Sequence, residues 1–149
     1  MSATEVLGGA EQGVGVTTDE DAPPRVATEP QRLLLIEDDF TLRAHLAELL
    51  MQEGYYVGCA ADGEEAIRRL QREPLPAAIL LDIMLPRVTG VAFREAQMRT
   101  SGLRSIPTIA ITSIRDSELL QSLGFAAVFR KPIDFETLTQ TLARVCPPR

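Results

Sequence analysis

Five times between residues 32 and 145, a short apolar run is followed by a longer segment of helical periodicity. No other feature of the chain restricts its possible folds so sharply. The runs are "RLLLI" (32–36), "YYVGCA" (55–60), "AAILLDI" (77–83), "IPTIAIT" (106–112) and "FAAVF" (125–129), and each reads as a strand. Between the first two, "TLRAHLAELLMQEG" (41–54) puts Leu42, Leu46, Leu49 and Leu50 on one helical face and stops at Gly54. "DGEEAIRRLQRE" (62–73) opens with Asp62 as the expected N-cap and Glu65 at capping-box spacing. A helix is expected over 91–99, beginning near Gly90, and a short one over 116–124, closed by Gly124. The last, 134–145, has Asp134 as cap and Phe135, Leu138, Leu142 and Val145 on one face. Five successive strand–helix units call for a mostly parallel sheet covered by helices on both faces.

Several function classes drop out on composition. The chain of 149 residues carries a net charge of −6 without basic clusters, which speaks against a nucleic-acid partner. No apolar run approaches the length of a membrane span, and no secretory signal is visible, so a cytoplasmic location is expected. Cys59 and Cys146 match no metal or redox spacing and read as reduced thiols. The acid is concentrated at the front: residues 1–30 hold Glu5, Glu11, Asp19, Glu20, Asp21 and Glu29 against Arg25 alone, with several glycines and prolines. That composition predicts a disordered acidic tail over 1–30 and a single folded domain over 31–149.

In open parallel sheets, ligands sit beyond the C-terminal ends of the strands. The first strand is followed by Glu37, Asp38 and Asp39, the third ends on Asp82, the fourth on Thr112, and the fifth runs into Arg130 and Lys131. Any one of these is commonplace; a carboxylate after a strand is often only a helix cap. Their convergence on one rim is harder to explain without chemistry. Asp82 is the sharpest case, because it interrupts an almost wholly apolar strand, where an unpaired charge would be costly to bury. Crowded carboxylates raise one another's pKa unless a cation intervenes, and an all-oxygen donor set suits a hard ion, Mg²⁺ above all. A carboxylate beside Mg²⁺, a hydroxyl and an ammonium describes a phosphoryl-accepting site, with Asp82 as nucleophile.

Lys131 strengthens this reading. It is the only lysine among fifteen basic residues, the other fourteen being arginine. A compact ammonium on a flexible stem can reach one phosphoryl oxygen in a crowded rim, where a planar guanidinium suits bidentate contacts instead. Pro132 restricts the backbone immediately after it.

At these residues the sequence resembles the receiver domain of bacterial two-component response regulators. The resemblance rests on "LLLIEDD" (33–39), "ILLDIMLPRVTG" (79–90), "IAITS" (109–113) and "FRKPI" (129–133), and spans about 31–149. It implies a flavodoxin-like, doubly wound five-stranded parallel sheet of order 2-1-3-4-5 with five helices. It implies that Glu37 and Asp38 are the acidic pair that holds Mg²⁺, with Asp82 and the backbone carbonyl of Met84 as further ligands. Asp82 would be the phospho-acceptor, Thr112 the switch hydroxyl and Lys131 the phosphoryl-binding lysine; Gly90 matches the family's glycine after the acceptor strand. The implied partners are a histidine kinase or phosphotransfer protein and an output protein. Such a chain would be no classified enzyme, though it would catalyse its own phosphorylation and dephosphorylation.

The match has three departures. Val128 stands where the family usually has an aromatic residue, three positions before the lysine, and alternation sends Phe129 to the other face. The interval from Thr112 to Lys131 is shorter than in chemotaxis-type receivers, which predicts a shortened fourth helix. After "VCPPR" (145–149) no output domain follows in this sequence, so a stand-alone receiver signalling through a partner is expected. The alternative is a degenerate receiver that binds partners without phosphotransfer, against which the intact set of site residues argues. An FMN-binding flavodoxin would want a hydroxyl-rich loop where this chain has three acids. A haloacid-dehalogenase-type phosphatase would want a second acid at Met84. His45 is expected on the solvent side of the first helix, without a role in phosphate transfer.

Overall fold

Residues 29–72 and 74–149 are described by the computed structural model of the chain. They form five strands and five helices in strict alternation: β1 (Arg32–Ile36), α1 (Phe40–Gln52), β2 (Tyr56–Ala60), α2 (Gly63–Arg72), β3 (Ala78–Asp82), α3 (Gly90–Arg99), β4 (Thr108–Thr112), α4 (Ser117–Ser122), β5 (Ala127–Arg130) and α5 (Phe135–Val145). The sheet is wholly parallel, in the order β2-β1-β3-β4-β5, as the resemblance implied. The expected disordered segment lies outside the described residues up to position 28, as does Glu73 at the end of the expected 62–73 helix.

Strand alternation builds two cores. Leu33, Leu35, Ala78, Leu80, Ile109 and Ile111 pack under α1 and α5 with Leu46, Leu50, Leu138 and Leu142. Leu34, Ile36, Ile79, Leu81 and Ala110 face the other way, onto Ala66, Phe93 and Leu120 of α2, α3 and α4. Central strands of a parallel sheet are covered on both faces, which is why their sequences are continuously apolar. β3 is buried along its whole length, so the single charge within it, Asp82, has to be accommodated by its neighbours.

The helix starts follow their caps. Asp39, Thr89, Asp116 and Asp134 each accept a backbone N–H from the first turn of α1, α3, α4 and α5. At α2, Asp62 accepts from Glu65 N at 2.8 Å while Glu65 reaches back to Ala61 N, one residue further than a standard capping box. The fourth helix is indeed short, at 6 residues. The fifth strand runs to Arg130, where the sequence suggested 125–129.

Candidate functional site

The C-terminal ends of β1, β3, β4 and β5 open onto one rim, and the loops after them carry the residues singled out by sequence. The acidic run after β1 divides its labour. Asp39 turns into the N-cap of α1, its Oδ1 accepting from Leu42 N at 3.0 Å. Glu37 turns inward and is 1% exposed, while Asp38 stays at the surface. Glu37, Asp38 and Asp82 each offer a carboxylate oxygen, and these oxygens lie within 4.8 Å of one another.

Asp82, 2% exposed, sits at the end of β3 with both oxygens engaged. Oδ1 accepts from Met84 N at 3.0 Å and Oδ2 from Lys131 Nζ at 3.2 Å. The ammonium also lies 3.0 Å from Glu37 Oε1. That contact is an ion pair outside hydrogen-bond angles, and Glu37 Oε1 is left buried without a hydrogen bond among the described residues. Burial, followed by the negative charge of Asp82, outweighs the help Glu37 receives from Asp39 N–H and Lys131, and its carboxyl is pushed up to about 7. For Lys131, burial pulls the other way, but pairing with Glu37 and the charge of Asp82 prevail, and the ammonium is held above its ordinary range. The Lys131–Pro132 peptide is cis.

Thr112 is fully buried at the end of β4, and its hydroxyl oxygen accepts from Ile114 N at 2.9 Å. Met84, two residues past Asp82, projects its side chain to solvent, 58% exposed. Val128 is exposed and Phe129 is half-buried against the α1/α5 core, the outcome alternation implied. His45 is exposed, as expected.

A hard divalent cation fits these residues. Three carboxylate oxygens are close together, one of them buried and unsatisfied, and a carboxyl whose neutral form is favoured by burial would be returned to its charged form by a cation.

Four arginines to which the sequence reading gave no role brace the fold, three of them at the rim and Arg94 at the opposite end of the sheet. Arg43 of α1 donates to Glu37 O at 2.7 Å, fixing the backbone of the acidic loop. Arg87 pairs with the buried Asp62 and adopts a left-handed backbone (φ 59), tying the loop after β3 to the start of α2. Arg130 donates to Ile114 O in the loop after β4. Arg94 of α3 is buried and spreads its donors over Leu123 O, Gly124 O, Gln97 Oε1 and Thr108 Oγ1. Only Arg94 carried a usable signal: it interrupts the apolar face of α3 beside Phe93.

Comparison with known proteins agrees with this geometry. Residues 33–143 match the family model of the response regulator receiver domain. The transcriptional regulatory protein PdtaR of Mycobacterium tuberculosis is 32% identical over 128 residues, 83% of this chain and 58% of that protein. The transcriptional regulatory protein CrdR of Helicobacter pylori is 32% identical over 117 residues, 76% of this chain and 54% of that protein. The chain thus spans little more than half the length of these relatives. The chemotaxis response regulator CheY4 of Vibrio cholerae aligns with a TM-score of 0.71 at 29% identity, over 77% of this chain and 98% of that one. The signal receiver domain of a signal transduction histidine kinase from Syntrophus aciditrophicus gives 0.71 at 27% identity, over 77% and 89%. By sequence match and by fold together, this chain belongs to the response regulator receiver domain family of two-component signalling.

Proposed function

We propose that the chain receives a phosphoryl group on Asp82 from a histidine kinase or phosphotransfer protein, in a Mg²⁺-dependent reaction, and passes the signal on through a partner protein. The observation that carries this reading is the meeting of Glu37, Asp38, Asp82 and Lys131 at one rim, with a buried carboxylate held between backbone and ammonium. Glu37, Asp38 and Asp82, with the backbone carbonyl of Met84, would hold the ion. Bound Mg²⁺ would neutralise charge on the transferring oxygens.

The chain's own groups have the remaining tasks. An oxygen of Asp82 attacks phosphorus as the phosphorus–nitrogen bond of a donor phosphohistidine breaks, and the imidazole leaves with the bonding pair. Lys131 is already within 3.2 Å of the Asp82 carboxylate and follows the charge outward onto a phosphoryl oxygen. Thr112 brings a hydroxyl donor to another. Met84 N–H holds Oδ1 so that one face of the carboxylate is presented to the donor.

The test is labelling by a small phosphodonor such as acetyl phosphate in Mg²⁺, with Asp82→Asn alongside. One phosphoryl group on the parent and none on the variant are expected. A parent that takes no label would instead favour a phosphorylation-independent binding module, and equal labelling of both would place the acceptor elsewhere.

A further inference from the structure

The loop between β4 and α4 is tied at both backbone groups of one residue. Ile114 N donates to Thr112 Oγ1, and Ile114 O accepts from Arg130 Nη1. Arg130 is the β-bridge partner of Thr112, so the guanidinium crosses from the neighbouring strand to hold the loop that Thr112 leads into. The far end of the short helix beyond it is anchored differently. Arg94, 4% exposed, takes the carbonyls of Leu123 and Gly124 at 2.8 Å each, and Gly124 turns the chain with a φ of 66. α4 is therefore held at its C-terminal end by a buried arginine and at its approach by an exposed one.

We propose that Arg130 is the releasable latch of this receiver's switch, coupling the Thr112 hydroxyl to the position of the β4–α4 loop. The proposal rests on the phosphoryl-accepting reading of Asp82. Because Ile114 N hangs on Thr112 Oγ1, a hydroxyl that turns toward a phosphoryl group on Asp82 draws Ile114 with it. The Arg130 contact to Ile114 O must then stretch or break, whereas the Arg94 contacts lie beyond the helix and need not change. The surface consequence is a shift of residues 113–116 and a freed guanidinium beside Val128, which is itself 39% exposed and carries no ring to report the movement. Arg130 here is a positioning residue; it does not touch the reacting atoms.

Removing the latch should populate the phosphorylation-ready loop in advance. One charge-assisted hydrogen bond at an exposed site corresponds to about a fivefold change in that population. The experiment compares the full chain with Arg130→Met and Arg130→Lys, reading the rate of labelling by acetyl phosphate in Mg²⁺ and the hydrogen exchange of amides 114–120 before and after labelling. The parent should gain exchange in this segment on phosphorylation. Arg130→Met should exchange fast beforehand and label about fivefold faster, and Arg130→Lys, which keeps one donor, should stay close to the parent. If Arg130→Met labels at the parent's rate, or if the parent's protection of 114–120 does not change on labelling, the latch is refuted. If the parent takes no label at all, the reading of Asp82 falls first and the latch with it.

Discussion

Gly90 offers the most direct link between packing and Asp82, the proposed acceptor. It opens α3, and its N–H donates to Ile83 O at 3.1 Å, closing the loop that follows Asp82. A Cβ added there would meet Ile83 Cα at 2.5 Å, Asp82 O at 2.6 Å and Ile83 O at 2.8 Å. All three are backbone atoms, and the closest is roughly 0.9 Å short of the 3.4 Å at which ordinary contact begins, so no rotamer change can relieve it. Gly90→Ala must push the start of α3 away from the end of β3. Overpacking of this kind costs about 1–3 kcal/mol, and the rigid surroundings put it at the upper end. In urea the midpoint should fall while the slope stays constant, because the surface exposed on unfolding is the same. The displaced atoms include the backbone of Asp82 itself, and misplacement by about 1 Å can cost up to about a hundredfold in rate. Labelling by a small phosphodonor should therefore slow at least about tenfold, at a temperature where the variant remains folded. A variant within about 0.5 kcal/mol of the parent that labels within twofold of its rate would show that the α3 start yields freely, and the argument from close approach would fail.

Three further outcomes are expected. Asp38→Ala should weaken Mg²⁺ binding by about tenfold or more in a titration, since few protein charges offset the ion; unchanged affinity would remove Asp38 from the metal site. Met84 and Ile114 stand two residues past Asp82 and Thr112 and carry no polar side-chain group; if Asp82 carries the phosphoryl group, Met84→Asn with Ile114→Glu, which could position a water, should speed loss of label by about tenfold, worth about 1.4 kcal/mol of barrier, and an unchanged half-life would acquit both side chains. Tyr55 is buried, its hydroxyl donates to Cys146 O at 2.7 Å, and burial above all pushes it up to about 12 from 10.0. Its folded value exceeds its unfolded one, so its contribution, up to about 2 kcal/mol, is complete below pH 10 and is lost as pH rises through 12; the excess alkaline loss of urea stability should vanish in Tyr55→Phe.

How much of this was legible in the sequence depended on the range of the interactions involved. The apolar runs of β1, β3 and β4 were readable because both faces of each strand are covered, and Asp82 stood out because a buried strand tolerates a charge only where partners meet it. Composition and periodicity did not separate the triplet Glu37-Asp38-Asp39; only the resemblance set Glu37 and Asp38 apart from Asp39. Which acid caps α1 and which turns inward is decided by where β1 ends, a matter of one residue. The strand starts at 106–107 and 125–126 were drawn too early because apolar residues precede the first paired positions, Thr108 and Ala127. The arginine contacts were least legible. Arg87 meets Asp62 across 25 positions, and Arg94 reaches Leu123 across 29, so only the completed sheet brings them together.

The charge balance of the rim explains why one lysine stands among so many arginines. Glu37, Asp38 and Asp82 present three carboxyl groups to the single ammonium of Lys131, and with Glu37 returned to its charged form a divalent cation would balance the two negative charges left over. A guanidinium at 131 would present a fork able to engage a carboxylate bidentately, filling the space between Glu37 and Asp82 and competing with the ion. Lys131 Nζ instead stands 3.0 Å from Glu37 as an ion pair and donates to Asp82 at 3.2 Å, on a stem free to follow charge. The arginines do what forks do well, binding backbone carbonyls: Arg43 at Glu37 and Arg130 at Ile114 on the rim, and Arg94 at Leu123 and Gly124 at the other end of the sheet. The arginines thus hold backbone around the site, and the cation among the three carboxylates is the lysine, whose flexible stem lets it follow charge.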